Sequence, residues 1–298
     1  MKFLRRFLLG YRLSFARFDQ DGYESQGGRG GCLAMLFNNP RLLMAVLIIG
    51  AGVFKYYVGD TTYKNAFTGR VQHLAIPSPE GEMRMGLASA PHMIQQFGGE
   101  VGDPTARGKV QQVGQRIVSS TDVAQTPYRF QFHLLRDDRT INAFALPGGQ
   151  IFITVALYKL LQNEDQLAGV LGHEIGHVVG RHSNQQMAKT ALVQSFAQGI
   201  GLATSNGHDY TSQQVASYVG NLVNLHFGRD DENEADALGV RFMMQCGYDP
   251  EQMIGVMQIL KKASGGSRQA EFMSTHPDPG NRIEHIKAEI ARLKGKRP

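Results

Sequence analysis

The sequence predicts an α+β protein, mainly helical with a small β-sheet, preceded by one transmembrane helix. Three features of the 298 residues support this fold class. Leu42–Val58 is apolar and aromatic over a length that can cross a bilayer. Tyr128–Leu135 alternates apolar and polar side chains, the pattern of a half-buried strand. Leu167–Val179 carries apolar residues at helical spacing, which predicts a helix with a buried face.

The charges around the apolar segment predict its orientation. Residues 1–41 contain seven Lys/Arg and three Asp/Glu, so they carry four of the five net positive charges. By the positive-inside rule they form a basic cytoplasmic tail, residues 42–58 cross the membrane, and the C-terminal bulk is translocated. The alternative is a buried core helix, because the uninterrupted apolar part, Leu42–Phe54, is shorter than the roughly 20 residues of a typical span.

The rest of the composition excludes some classes of protein. With the positive charge confined to the tail, residues 42–298 are close to neutral, and no nucleic-acid partner is expected. The two cysteines, Cys32 and Cys246, do not form a disulfide framework. The first eighteen residues are basic and free of acids. A mitochondrial presequence is therefore an alternative to a solvated tail, and an organellar setting stays open beside a bacterial one.

A small sheet is predicted ahead of the buried helix. Residues 59–78 are expected to be a linker with short extended pieces, followed by one domain at 79–298. Helices are predicted from about Glu80 and over Pro104–Ser119. Three strands separated by turns come next: Tyr128–Leu135, Ile141–Ala145 and Gln150–Thr154.

The helix after the sheet contains the stretch LGHEIGHVVGRHS, in which His173, Glu174 and His177 form an H-E-x-x-H pattern. Asn163 is a good N-cap, so the helix is predicted to begin near Glu164. His173 and His177 are one turn apart on one face and can bind one metal ion, while Glu174 can contact a water molecule on that ion. Four glycines in the same helix are costly relative to alanine and indicate close packing of another element.

Two histidines need a third ligand to hold a catalytic zinc. One class of zinc enzymes takes a third histidine from the position that Ser183 occupies here. His182 is one residue too early, and on a continued helix it would lie opposite His173. That class is excluded.

A glutamate from a separate helix is the remaining solution, and Asp230–Gly239 offers two. Glu232 is the predicted ligand, because it shares one helical face with Asp236, which can then orient a ligand histidine. Glu234 faces away from Glu232 and is the fallback. The competing interpretation of this run is a solvated helix N-terminus, where acidic residues suit the helix dipole.

At this point the sequence resembles a family of membrane-associated zinc peptidases. The family includes the CAAX prenyl endopeptidase, the bacterial heat-shock membrane protease and the periplasmic β-barrel assembly-enhancing protease. The resemblance covers roughly Ser78–Ile290 and rests on five segments in order: EGEMRMG (80–86), INAFALPGG (141–149), LAGVLGHEIGHVVGRHS (167–183), ENEAD (232–236) and STHPDPGNRI (274–283).

The resemblance implies a gluzincin fold for a zinc metallopeptidase domain at 79–298. It further implies one Zn²⁺ per chain, held by His173, His177 and Glu232, with Asp236 contacting a ligand histidine. The chain departs from some members, since one predicted membrane segment argues against prenyl-protein processing inside a membrane chamber. No tetratricopeptide array follows the domain, so recruitment to the partners of the assembly-enhancing protease is not implied.

The implied mechanism assigns roles to further residues. Glu174 acts as general base. His276 is expected to donate a hydrogen bond to the oxyanion; the alternatives are a surface-loop histidine and a resting-state zinc ligand that swings out for substrate. The strand before the Pro-Gly-Gly turn resembles the family's active-site edge strand. The backbone of Asn142, Ala143 and Phe144 is therefore expected to pair with an extended substrate, unless Phe144 is an ordinary core residue.

The function expected from these features is that of a zinc metalloendopeptidase that degrades misfolded or misassembled envelope proteins. It is expected in the bacterial inner membrane as a single-pass protein, with the catalytic domain in the periplasm and polypeptides as substrates. The oligomeric state is left open. One alternative function is a zinc-bound chaperone or assembly factor with latent protease activity. The other is a structural helical protein in which the motif arose by chance.

Overall fold

The structure is a computed structural model that describes residues 37–59, 62–204, 227–264, 272–277 and 281–295. The chain divides into two compact units, Met1–Leu43 and Met44–Pro298. Of the first unit only residues 37–43 are described, so the basic tail expected at residues 1–41 lies almost entirely outside the described part. The domain boundaries expected from the sequence stay predictions.

The described part of the chain is mostly helical with small sheets, which confirms the α+β class. In chain order the helices are α1 Pro40–Tyr57, α2 Pro79–Gln96, α3 Pro104–Ser120, α4 Val155–Tyr158, α5 Glu164–Val179, α6 His182–Thr204, α7 Arg229–Gln245, α8 Gln252–Ser264, α9 Phe272–Thr275 and α10 Arg282–Gly295. Side-chain caps fix several of these starts. Asn163 accepts a hydrogen bond from the Gln166 amide at the start of α5, as its position predicts.

Two small sheets accompany the helices. In the predicted linker, β1 (Thr62–Lys64) and β2 (Val71–His73) form an antiparallel pair. The second sheet has the order β3-β5-β4, and its strands are β3 Gln131–Leu135, β4 Ala143–Leu146 and β5 Gln150–Thr154. β5 lies in the middle, parallel to β3 and antiparallel to β4, so among the described strands β4 is at an edge.

β3 and β4 begin two or three residues later than the sequence pattern predicts, because the central strand is short. Gln131 pairs with Gln150, and before Gln150 the chain turns sharply through Gly148 and Gly149, whose φ angles are +85° and +112°. Residues 128–130 therefore have no opposite strand. At the other end β5 stops at Thr154, whose amide donates to the Asn142 carbonyl, so the residues before Asn142 have no strand residue opposite them.

The α5 helix runs through the main core, and Gln166 to Val179 are all buried. Helix α7 packs along it at the glycines. A Cβ added to Gly172 would lie 3.4 Å from the Cα of Gly239, and one added to Gly176 would lie 3.0 Å from the carbonyl oxygen of Ala235. This confirms the close packing that the four glycines indicate. It brings the face of α5 that carries Gly172 and Gly176 directly against α7.

The chain turns between α5 and α6, so α5 does not continue beyond Gly180. The assumption of one continued helix, which would place His182 opposite His173, is therefore wrong. Arg181 has a φ of +56°, a conformation that ends the α-helix, and α6 begins at the next residue. Because of this turn, the His182 ring folds back onto His177 instead of pointing away.

The α1 helix stands apart from the core. Among its described residues only Ala45 is buried, which is 6% of this apolar helix of 18 residues. The interpretation of Leu42–Val58 as a buried core helix is therefore wrong. The helix is long and apolar enough to cross a membrane by length and composition.

Candidate metal centre

Four buried side chains bring one possible ligand atom each within 4.8 Å of the others: His173, His177, Glu232 and His276. The two motif histidines come from α5, Glu232 from α7, and His276 from the residue after α9. The sequence separates these residues by up to 103 positions, yet each is at most 1% exposed. Burial of so many ionisable groups in one place indicates a binding site.

The imidazoles of His173 and His177 face each other through their Nε2 atoms, which are 3.0 Å apart. The Nδ1 of His173 lies 2.9 Å from an oxygen of Asp236, so its proton belongs on that side and its Nε2 lone pair points into the cluster. Burial lowers the pKa of His177 well below its ordinary value, which keeps that ring neutral. Two imidazole Nε2 atoms that face each other in a buried cluster are placed to bind one metal ion.

The carboxylate of Glu232, and not that of Glu234, reaches these rings. Its oxygens lie 3.5 Å from His173 Nε2 and 3.4 Å from His177 Nε2. Burial by itself raises the pKa of Glu232, but His276 and His177 more than offset it, so the pKa lies well below its ordinary value and the group is ionised. Two imidazole nitrogens and one carboxylate oxygen form the donor set of open, catalytic zinc sites, so the residues present fit such an ion.

Asp236 joins the cluster to a buried arginine that the sequence interpretation missed. Arg282 donates from Nε and Nη2 to the two Asp236 oxygens at 2.8 and 2.7 Å. Its Nη1 lies 3.0 Å from Glu232. Burial raises the pKa of Asp236, but Arg282 more than offsets it and the pKa stays below its ordinary value. One feature of the sequence indicates that Arg282 is buried: it lies on the same helical face as Ile286 and Ile290, both of which are buried.

A second chain of contacts holds His177, and the sequence interpretation missed it too. The Nδ1 atoms of His177 and His182 are 2.9 Å apart, and His182 Nε2 lies 2.7 Å from Glu234. Glu234 in turn accepts a hydrogen bond from Arg70 at 2.9 Å. Each motif histidine is thus oriented by its own carboxylate, His173 directly and His177 through His182.

Glu174 has the surroundings of a general base. It is fully buried, and neither carboxylate oxygen has a hydrogen-bond partner among the described residues. His276 Nε2 lies 3.6 Å from one of its oxygens. Burial raises the pKa of Glu174 above its ordinary value. A buried carboxylate that accepts no hydrogen bond from the described residues, beside two histidines, has its oxygens available for a reactant.

His276 lies inside the cluster, so its interpretation as a surface-loop histidine is wrong. Its Nδ1 is 3.0 Å from Glu232 and 3.3 Å from His173 Nε2. The ring stacks on Phe272 with centroids 4.4 Å apart, and its backbone amide donates to the Phe272 carbonyl. In this state a nitrogen of His276 is a fourth potential ligand.

The three residues expected to bind substrate lie at the start of the edge strand. Asn142 and Ala143 are fully buried, and both polar atoms of the Asn142 side chain lack a partner among the described residues. Phe144 stacks on Phe152 with ring centroids 4.8 Å apart, so its side chain belongs to the core. What Phe144 can offer a substrate is therefore its backbone.

The fold and the cluster together define a metallopeptidase, and comparison with known proteins identifies its family. The model of peptidase family M48 matches residues 104–290, which is more than half of the chain. The chain belongs to peptidase family M48 and is a metalloprotease, a hydrolase of peptide bonds. The predicted resemblance is confirmed, and the interpretation of the motif as a chance occurrence in a structural protein is wrong.

Three relatives show the range of similar proteins. The chain is 31% identical over 212 residues to the β-barrel assembly-enhancing protease of Escherichia coli K12, a match that spans 68% of this chain and 42% of the relative. It is 30% identical over 269 residues to the mitochondrial metalloendopeptidase OMA1 of Schizosaccharomyces pombe, which covers 87% of this chain and 76% of that protein. It is 27% identical to the metalloprotease YcaL of Escherichia coli K12 over 56% of this chain and 63% of YcaL.

Proposed function

We propose that the protein is a zinc endopeptidase anchored in the bacterial inner membrane by α1, with its catalytic domain in the periplasm. Its proposed substrates are misfolded or misassembled envelope proteins. The observation that carries the catalytic assignment is the convergence of His173, His177 and Glu232 beside Glu174, whose carboxylate accepts no hydrogen bond from the described residues. The name of the β-barrel assembly-enhancing relatives supports envelope substrates, and the basic residues before α1 support the orientation.

The proposed cofactor is one Zn²⁺ per chain, held by His173, His177 and Glu232. When bound, zinc supplies a Lewis acid that activates water and polarises the scissile carbonyl. The protein's part is to present three ligand atoms from two rigid helices. Asp236 fixes the His173 ring and His182 fixes the His177 ring, so little reorganisation is needed for binding.

Glu174 is the proposed general base. Its carboxylate accepts a proton from the attacking water and returns that proton to the leaving amine. The raised pKa brings the group closer to neutral pH, where accepting and then releasing a proton are both favourable. Its burial also keeps other water away from the reaction.

His276 is proposed to change role between the resting and the active state. In the structure it lies within hydrogen-bond distance of Glu232 and can complete the ligand set. When the ring turns away from Glu232, its Nε2, now 3.6 Å from Glu174, becomes available as a donor to the oxyanion. The resting arrangement supports the inhibitory role that the sequence left as an alternative.

The backbone of β4 is the proposed substrate-binding edge. An extended peptide that adds to this edge pairs through main-chain hydrogen bonds and needs no particular side chains. The side-chain amide of Asn142, which has no hydrogen-bond partner among the described residues, supports a polar contact to the same peptide. Recognition of this kind suits unfolded or loosely folded chains of varied sequence.

The proposal is tested by zinc content and casein cleavage of the wild type and of Glu174→Gln. We expect about one zinc per chain in both proteins, because Glu174 is not a ligand. Cleavage by the variant is expected to fall by roughly 10²- to 10⁴-fold, the usual contribution of a general base. A variant that still cleaves casein at the wild-type rate removes Glu174 from the mechanism.

A second function, a zinc-bound chaperone or assembly factor with latent cleavage, is favoured by one observation: His276 sits where it closes the ligand set. The same Glu174→Gln substitution separates the two functions in cells. If the variant restores envelope integrity to a deletion strain as well as the wild type does, proteolysis is not the main activity.

A further inference from the structure

A second helix lies alongside α1 over much of its apolar length. A Cβ added to Gly52 of α1 would lie 2.5 Å from the Cβ of Ser195 in α6, so the two helices touch there. One turn further along α6, a Cβ on Gly199 would lie 2.4 Å from Ile49 and 2.9 Å from the carbonyl oxygen of Ala45. As the residue number rises in α6 it falls in α1, so the helices are antiparallel.

The half of α6 that follows α1 is suited to an apolar medium. No charged residue occurs from Thr190 to Thr204. Its outward face includes Val193, which is 66% exposed, and Phe196, which is 40% exposed. The hydroxyl of Ser195 is satisfied within the helix, where it donates to the Leu192 carbonyl at 2.6 Å.

Helix α1 also exposes large apolar side chains. Met44, Leu47 and Phe54 are 52%, 55% and 62% exposed. With Val193 and Phe196, they make the two helices an apolar region with several large exposed side chains, more than the single exposed apolar residues that ordinary protein surfaces carry. Lysines mark its catalytic end on both helices, with Lys55 in α1 and Lys189 in α6. A cavity of about 160 Å³ lies between the helices here and is lined by Lys55 and Leu192.

We infer that the second half of α6 is embedded in the lipid bilayer beside α1 and packs against it there. The inference rests on the proposed membrane anchoring by α1. If α1 crosses the bilayer up to Lys55, the Ser195 to Gly199 turn of α6 lies at the same depth as Gly52 and Ala45 and meets the same hydrocarbon. Thr190–Thr204 extends about 22 Å as a helix, less than the roughly 30 Å of the hydrocarbon core, so this part of α6 enters the bilayer without spanning it alone.

This placement sets the distance between the membrane and the chemistry. Helix α6 begins at His182, which contacts the metal-ligand histidine His177. Lys189 follows seven residues later, about 10 Å along a helix that rises 1.5 Å per residue. The metal centre therefore lies close to the bilayer surface, and the substrates within its reach are polypeptide segments next to the membrane.

The test uses the full chain without its native cysteines (Cys32→Ser, Cys246→Ser), reconstituted in vesicles of phosphatidylethanolamine and phosphatidylglycerol. Phe196→Cys and Val193→Cys are labelled with an environment-sensitive fluorophore and exposed to nitroxide-bearing lipids. Leu87→Cys, on a residue of α2 that is 50% exposed, is the matched control. We expect lipid nitroxides to quench both α6 labels and not the control. Before labelling, both α6 thiols should react with a membrane-impermeant maleimide roughly tenfold more slowly than the control thiol at position 87 does, because hydrocarbon disfavours the reactive thiolate.

A label at Leu47→Cys in α1 separates this inference from the proposed anchoring. If Leu47 is quenched by lipid and the α6 positions react freely with the impermeant reagent, α6 lies in water and the inference is wrong while the anchor stands. If the α6 positions are protected from both lipid and water, a second copy of the chain covers them, which also contradicts it. If Leu47 itself is not quenched, both the anchor and the inference fail.

Discussion

At the scale of single residues, two glutamates two positions apart have different partners. Glu232 points at the facing Nε2 atoms of the motif histidines, whereas Glu234 is held by His182 and Arg70. Both carry the same charge and both sit in the first turns of α7. The difference arises from helical geometry, because two residues that are two positions apart on an α-helix point in directions about 200° apart.

Substitution of each glutamate by glutamine tests this assignment directly. Glu232→Gln is expected to lose stoichiometric zinc, because the site keeps only two strong ligands and its charge balance is lost. Glu234→Gln is expected to keep zinc with an affinity lowered roughly tenfold, since it acts through His182. Competition with a chromophoric chelator measures both. The reverse order of the two affinities would make Glu234 the ligand.

Asp236 is expected to matter nearly as much as a ligand. Asp236→Asn replaces one oxygen that contacts His173 or Arg282 by an amide, and it leaves the Arg282 charge with less compensation in a fully buried site. We expect zinc affinity to fall by roughly 10- to 100-fold. Asp122→Asn, a partly exposed carboxylate paired with Arg241, is the control and should leave zinc affinity unchanged. Equal affinities for the two variants would show that Asp236 does not orient the site.

At the scale of elements, the spacing between α5 and α7 decides whether three ligand atoms can meet one ion. That spacing is set by glycine, since Gly176 faces the backbone of Ala235 and Gly172 faces Gly239. Helix propensity alone would favour alanine at these positions. Close approach of two backbones is the physical reason for keeping glycine there.

Gly176→Ala is therefore expected to destabilise the protein although alanine is the better helix former. The new methyl would lie 3.0 Å from a backbone oxygen that cannot rotate away, and such overpacking costs about 1–3 kcal/mol against about 1 kcal/mol gained in propensity. Gly108→Ala in α3 is the matched control, because nothing lies within 4 Å of its Cβ position. It should raise the thermal unfolding midpoint. A Gly176→Ala protein more stable than the wild type, with unchanged zinc affinity, would contradict the packing argument.

The features that could be predicted from the sequence are those that depend only on residues close together in the chain. The i, i+4 pair of His173 and His177, the acidic face of α7 and the N-cap Asn163 are read from neighbouring residues, and the structure places them accordingly. Arg282, His182 and Arg70 were missed because their partners are distant in the chain or depend on a turn. His182 in particular reaches His177 only because Arg181 adopts a φ of +56°.

At the scale of the whole molecule, the cluster joins elements that lie far apart in the sequence. Helix α5, helix α7 and the segment after α9 meet at His173, Glu232 and His276, and Arg282 adds α10. A metal ion at this cluster would bind side chains from α5 and α7 at once, so it would bind the folded chain and not the unfolded one. Metal binding and folding stability should therefore be coupled.

Removal of metal by a chelator is expected to lower the thermal unfolding midpoint. An ion bound a thousandfold above its dissociation constant contributes about 4 kcal/mol to the free energy of unfolding. Glu174→Gln should show the same loss, because it keeps the ligands, whereas His177→Ala should show little further change on chelation. A wild-type midpoint that does not respond to chelator would mean that no structural coupling exists.

The central claim is that His173, His177 and Glu232 bind one zinc ion, and anomalous X-ray diffraction at the zinc edge tests it most directly. We expect one anomalous peak per chain, about 2.0–2.2 Å from Nε2 of both histidines and from an oxygen of Glu232. A peak elsewhere, or a Glu232 carboxylate turned away from an ion held by the two histidines, would contradict the account.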